Sequence, residues 1–174
     1  MVKIIRFYYF NEGGVSMLPE EITKFIGQST GGIRVMEVEK GSIRRFAESV
    51  DDPNPLYCDE EYARNSKYGS IISVPGFFGW PAKGVRAGGQ MGGIPELNAA
   101  LAKNGFGRVL DGGMEYEFFC PVRAGDTLAA TSFIKDITEV EGRTGKMAIM
   151  ITETTYLNQN GDLVARARGT SIRR

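Results

Sequence analysis

The chain contains no histidine in 174 residues, which narrows the chemistry it can carry out alone. Without an imidazole there is no Ser-His-Asp or Cys-His nucleophile within the chain, and the usual zinc sites are excluded as well. Carboxylates, thiols, phenols and guanidinia remain. Asp51 and Asp52 are neighbours, and neighbouring side chains rarely point the same way, so a two-carboxylate acid/base pair is not expected. Turn chemistry is the simpler reading, since Asp52 precedes Pro53 and Asn54 precedes Pro55. Cys58 stands beside Asp59 and Glu60 with no imidazole to lower its pKa, so a protonated, unreactive thiol is expected. Cys58 and Cys120 lie in different contexts and read as free thiols of a cytoplasmic protein. No metal-ligand spacing is present. Arg166 and Arg168, two apart in a strand-like stretch, share a face.

The elements that must position these groups follow in order. Residues 19–27 predict a short helix with acids in its first turn and Gly27 at its end. Residues 32–39 predict a strand. Residues 42–50 predict an amphipathic helix, with Ile43, Phe46, Ala47 and Val50 at helical spacing and Ser42 as its cap. A proline-braced turn, DDPNPLY, leads to a short helix capped by Asp59. Residues 70–112 hold Pro75, Pro81, Pro95 and many glycines, so they cannot form one long helix. The expectation is a short buried helix near 77–83 started by proline, a glycine-rich excursion, and a second helix over 96–103. The excursion is either a surface loop or a lid over an acyl or pantetheine channel. In 114–119, Met114, Tyr116 and Phe118 face one way and Glu115 and Glu117 the other. Three long strands follow at 127–139, 145–157 and 162–173, separated by hairpin turns at 141–145 and 158–162.

Bulk composition agrees with one domain spanning 1–174, with 1–16 as an N-terminal extension and Met17 as an alternative start. Apolar residues make up 42% and charged residues 24%. Lys plus Arg and Asp plus Glu both number 21, so no global field recruits nucleic acid or a membrane surface. No apolar run approaches the length of a membrane-crossing helix. The order of helices first and antiparallel meander last is α+β.

Three stretches resemble the MaoC-like hydratase/dehydratase family: FAESVDDPNPLYCDEEYA (46–63), KYGSIISVPGFF (67–78) and FFCPVRAGDTL (118–128). The nearest variety is the N-terminal, fatty-acid-synthase-type dehydratase domain of two-part hydratases. The resemblance implies the hot-dog fold, an antiparallel sheet wrapped around a central helix. It also implies pairing of two such folds as a homodimer or heterodimer, with an acyl-CoA or acyl-carrier-protein thioester between them and no further cofactor or metal. The family pattern Gly-Asp-x-Asn-Pro-aliphatic-His aligns here with Asp51, Asp52, Pro53, Asn54, Pro55, Leu56 and Tyr57. The glycine has become Asp51 and the histidine Tyr57.

In active relatives the aspartate and histidine handle the water that adds to an enoyl thioester. Imidazole suits that work because it titrates near ~6.5, whereas a phenol titrates near ~10. Losing a general acid/base costs roughly 10²–10⁴-fold. Asp52, Asn54 and Tyr57 are therefore expected as an altered or vestigial site, with Tyr57 either hydrogen-bonding a ligand or packing at a subunit interface. Pro75, Gly76, Phe77, Phe78 and Trp80 are expected to line the substrate, with free helix-end N–H groups near a thioester oxygen; packing alone is the other reading. Arg166 and Arg168 either meet coenzyme A phosphates or an acidic carrier, or form a solvated edge. The activity these features imply belongs to fatty acid metabolism: an (R)-specific enoyl-thioester hydratase or 3-hydroxyacyl-thioester dehydratase subunit, lining the acyl tunnel while a partner supplies Asp and His. The alternatives are a non-catalytic acyl-thioester-binding homodimer, or a histidine-independent thioesterase or hydratase using Asp52 and Tyr57.

Overall fold

Period-two alternation in the last third builds the sheet to which everything else attaches. A computed structural model describes residues 18–82, 94–142 and 145–174. Six strands pair in antiparallel fashion: β1 (Arg34–Glu37), β2 (Trp80–Pro81), β3 (Val109–Phe118), β4 (Thr127–Gly142), β5 (Gly145–Leu157) and β6 (Leu163–Arg173). Their order across the sheet is β2-β1-β4-β5-β6-β3. The long β4 and β5 pair from Ala129↔Leu157 to Gly142↔Gly145, and the register shift between Ile134 and Asp136 bends β4. Asn158 closes the β5–β6 turn: its side-chain oxygen accepts from the backbone N–H of Asn160 (3.0 Å) and Asp162 (2.9 Å).

The helices cover one face in two groups. Helix α2 (Lys40–Ser49), a 3-10 turn (Pro55–Tyr57) and α3 (Glu60–Asn65) lie over one end. There Ile43, Ala47, Tyr57, Ala63, Val74, Phe77 and Phe78 pack with Leu128 and Ala165. Helices α1 (Glu20–Thr23) and α4 (Pro95–Lys103) lie over the other end, where Ile22, Phe25, Leu97 and Leu101 pack with Ile134, Ile137, Ala148 and Met150. Pro95 sits in the first turn of α4, where its missing N–H costs nothing. Leu97 and Leu101, four apart, present one apolar stripe.

Several expectations need correction. No helix starts at Pro75: 77–82 is irregular, with Gly79 at φ +86°, except for the short strand Trp80–Pro81, and position 83 lies outside the described residues, as do the N-terminal extension, Met17 and the glycine-rich excursion over 84–93. Pro75-Gly76 forms a turn instead: the N–H of Phe77 donates to Val74 O (3.0 Å) and Gly76 has φ +91°. That is the type II signature, proline then a residue at positive φ. The chain next pairs with β1 through Trp80 and Pro81. The proline-started helix is the later one, at Pro95. Ser42 is not a cap. Glu39 holds that position, and Ser42 is buried one turn in, its hydroxyl on Glu39 Oε2 (3.1 Å). The helix expected over 19–27 is a single turn, with Gly27 (φ +83°) then anchoring its N–H to Ile134 O (2.7 Å).

Candidate functional site

The end of α2 sets up the turn that carries Asp52. Asp51 has φ +53°, the left-handed conformation that glycine adopts without cost. Behind it, Asp52 N–H donates to Ala47 O (3.0 Å) and Asp51 N–H to Glu48 O (3.3 Å). This pair of bonds is the Schellman closure of a helix C-terminus. It explains why the aligned position in the resembling pattern is glycine, and how an aspartate can occupy it: Asp and Asn tolerate this region best among the rest.

Asp52 then turns its carboxylate back on the chain and accepts from Asn54 N–H (3.2 Å). Asn54 Oδ1 accepts from Leu56 N–H (3.1 Å) and caps the 3-10 turn. Both carboxylate and amide are thus spent at least partly on the turn, as the simpler reading expected. Tyr57 points inward and is buried. Burial pushes its phenol above the usual range, and the nearby charge of Asp52 and the Tyr68 phenol add to this; a hydrogen bond with the Asn54 side chain works in the opposite direction. The phenol is therefore neutral at any physiological pH and cannot act as a base. Cys58, just beyond, is exposed.

Next to this turn lies a groove of about 330 Å³, lined on one side by Tyr68 and the Ile72–Phe78 stretch and on the other by Phe118–Val122. Tyr68 belongs both to the groove and to the surroundings of Tyr57, so it links the two. Within the groove Phe78 stacks on Tyr156 (centroids 4.0 Å apart, 14° between planes) and meets Tyr116 and Phe118 of β3. Phe77 stacks on Phe46 at 4.8 Å. Pro75 and Gly76 form the rim at the type II turn. With no helix starting there, no set of free helix-end N–H groups is present to polarise a carbonyl. Trp80 stands 57% exposed on the edge strand β2, outside the groove lining.

The structure does not bring Arg166 and Arg168 to this groove. They lie on the opposite face of the sheet, where Arg168 Nε donates to Glu153 Oε2 (2.7 Å) and Arg166 Nη1 to Glu117 Oε2 (3.1 Å). Glu153 is 6% exposed. Burial alone would raise its carboxyl, but the Arg168 hydrogen bond and the charges of Lys135 and Arg168 outweigh that and hold it below the usual range. Sequence reasoning did not single out Tyr68, Tyr156 or Glu153. Only Tyr68 carried a local signal, standing next to the KYGS segment start.

Comparison with known proteins gives findings of three kinds. The family model described as "FAS1-like, dehydratase domain region" matches residues 24–167. A UPF0336 protein of Streptomyces avermitilis is 37% identical over 118 residues, 68% of this chain and 74% of its own. A probable enoyl-CoA hydratase alpha subunit of Thermomonospora curvata is 30% identical over 137 residues, 75% of this chain but 43% of its own length, so the chain spans less than half of that relative. Among solved structures, the ChsH1-ChsH2 complex of Mycobacterium tuberculosis has a similar chain with TM-score 0.72 at 15% identity, covering 88% of this chain and 93% of that one. The HadBC (3R-hydroxyacyl-ACP dehydratase) complex of the same organism gives 0.54 at 22%, covering 82% and 95%. These structures share the fold: a curled antiparallel sheet with a few helices on one face, the hot-dog arrangement.

Proposed function

The chain belongs to the FAS1-like dehydratase-region family of MaoC-like hot-dog proteins, and on that premise we propose that it is the acyl-holding subunit of an (R)-specific enoyl-thioester hydratase or 3-hydroxyacyl-thioester dehydratase, lining the acyl tunnel while a second hot-dog chain supplies the catalytic aspartate and histidine. One observation carries this reading above the others. The turn keeps its architecture, with Asp52 and Asn54 bracing the backbone, yet the residue where a proton shuttle belongs is a buried phenol with a raised pKa.

Hydration of an enoyl thioester breaks a water O–H bond, forms C–O at the β-carbon and delivers a proton to the α-carbon. Both proton movements need a group that titrates near neutrality. The turn of this chain carries no imidazole for that task. The chain does offer a groove walled by Ile72, Val74, Phe78 and Phe118, suited to an acyl chain, and that groove runs out to the free edge of β3, where a partner would close it. Neighbours known as complexes, ChsH1-ChsH2 and HadBC, support a hot-dog partner chain.

The test is purification of the full chain alone and together with a hot-dog chain bearing an intact Gly-Asp-x-Asn-Pro-aliphatic-His. The pair should hydrate crotonyl-CoA, and acyl-CoA should raise the melting temperature of the pair. Full hydration by the chain alone, unaffected by Asp52→Ala, contradicts the reading.

A further inference from the structure

In one row of contacts across the outer face of the sheet, the face away from the helices, charge alternates strand by strand. Lys135, in the bulge of β4, is positive, Glu153 on β5 negative, Arg166 and Arg168 on β6 positive, and Glu115 and Glu117 on β3 negative; Asp136, opposite Ile151, puts a negative charge on the same face of β4 outside this row. The contacts follow that order. Lys135 Nζ lies 3.5 Å from Glu153 Oε1, Arg168 Nε 2.7 Å from Glu153 Oε2, and Arg166 Nη1 3.1 Å from Glu117 Oε2. In register, Glu153 faces Arg168, which faces Glu115, and Arg166 faces Glu117. The alternation stops on a negative strand, because β3 is the last strand of the sheet among the described residues.

That last strand is built to be paired. All ten of its residues are exposed. Its irregularity is confined to the Asp111/Gly113 step, and from Gly113 to Phe118 it carries none of the lysines, prolines or bulges that guard a solvent-facing edge. Its helix-side residues Met114, Tyr116 and Phe118 are 56%, 40% and 47% exposed, a row of apolar surface that Phe78 covers only in part among the described residues.

The outer row limits what can pair there. In a continuous antiparallel sheet, directly opposed residues share a face. Two copies of β3 related by an axis near Tyr116 would set Glu115 against Glu117 and Glu117 against Glu115. Four carboxylates would crowd two adjacent rows, with the nearest Arg166 already engaged by Glu117 and Glu153. Like charges directly opposed destabilise a strand pair. A basic strand in the same place would continue the alternation instead.

We propose that Glu115 and Glu117 select which hot-dog chain pairs with the β3 edge: they disfavour a second copy of this chain and favour an edge strand that presents lysine or arginine at alternate outer-face positions. The proposal rests on the reading that a second hot-dog chain completes the site, but its charge rule is testable without any activity.

The probe is a copy of the full chain carrying Glu115→Lys and Glu117→Lys, mixed with the unaltered chain and followed by native mass spectrometry and sedimentation at low and high salt. The ratio of mixed to self-paired dimers should exceed its statistical value about tenfold, and salt should erase the preference while strengthening self-pairs of the unaltered chain. The Glu115→Gln/Glu117→Gln variant guards against misfolding of the lysine copy; it should self-associate about tenfold more tightly than the unaltered chain. Statistical mixing, an unaltered chain that dimerises tightly at low salt, or a glutamine variant that pairs no better each overturns the proposal. If no partnered form hydrates crotonyl-CoA while mixing remains selective, the catalytic reading fails and the charge rule stands.

Discussion

Asp51 holds a left-handed backbone that costs an L-residue roughly 1–2 kcal/mol and costs glycine nothing. After the added entropy of glycine in the unfolded chain is subtracted, Asp51→Gly should therefore raise stability by about 0.5–1 kcal/mol. In a thermal melt that corresponds to a rise of about 1–4 °C for a domain this size. An unchanged or lower melting temperature would mean that the Asp51 side chain contributes something the geometry does not show. Glu153 makes a second prediction at this scale. Its carboxyl is held below the usual range in the folded state, so the stability it contributes is fully present above its unfolded pKa, about 4.3, and is lost as pH falls through the folded value. Glu153→Gln should cost about 1–3 kcal/mol near neutrality, since it leaves Arg168 without its carboxylate and removes one of the two beside Arg166. It should also flatten the acid limb of the stability curve below about pH 4.3, read by denaturant unfolding at several pH values. None of this was legible in the sequence. Glu153 meets its partners only once β5 and β6 are in register, whereas the Asn54 and Asp59 caps act within three residues and could be read directly.

At the scale of elements, Gly76 and Gly79 both have positive φ but differ in their surroundings. A Cβ on Gly76 would meet only the Tyr116 ring, at 3.8 Å; one on Gly79 would stand 2.3 Å from Glu37 O. Gly76→Ala should cost about 1–2 kcal/mol, from backbone strain alone. Gly79→Ala should cost clearly more, because it also forces β2 away from β1, and amide exchange at Trp80–Ala82 should accelerate in that variant only. Equal losses would show that the β1–β2 pairing is not the constraint. The three long strands and α2 were readable because period-two and helical patterns persist over many residues in each, and α3 because Asp59 caps it. The Pro75-Gly76 segment was misread because proline opens helices and type II turns alike, and the deciding feature, a positive φ at Gly76, requires the tertiary path back to β1. The aromatic stack of Phe78 on Tyr156 lay equally beyond reach, joining residues 78 positions apart in the sequence.

For the whole molecule, one architecture serves two purposes: the sheet buries one face under two helix groups and leaves the aromatic edge of β3 open beside the groove. No helix among the described residues is long and apolar enough to cross a membrane. The fold was visible from the order of elements and from the motif remnant, and the missing histidine was plain in the composition. The position of Tyr57, buried against Tyr68 and Asp52 beside the groove, needed the structure. The account stands or falls on which chain moves the protons. The most direct measurement is steady-state hydration of crotonyl-CoA by the two-chain assembly, with Tyr57→Phe in this chain compared against loss of the motif histidine in the other. The account predicts that Tyr57→Phe leaves kcat within about twofold, while removing the other chain's imidazole lowers it roughly 10²–10⁴-fold. A collapse of kcat on Tyr57→Phe, with the histidine variant still active, would contradict it.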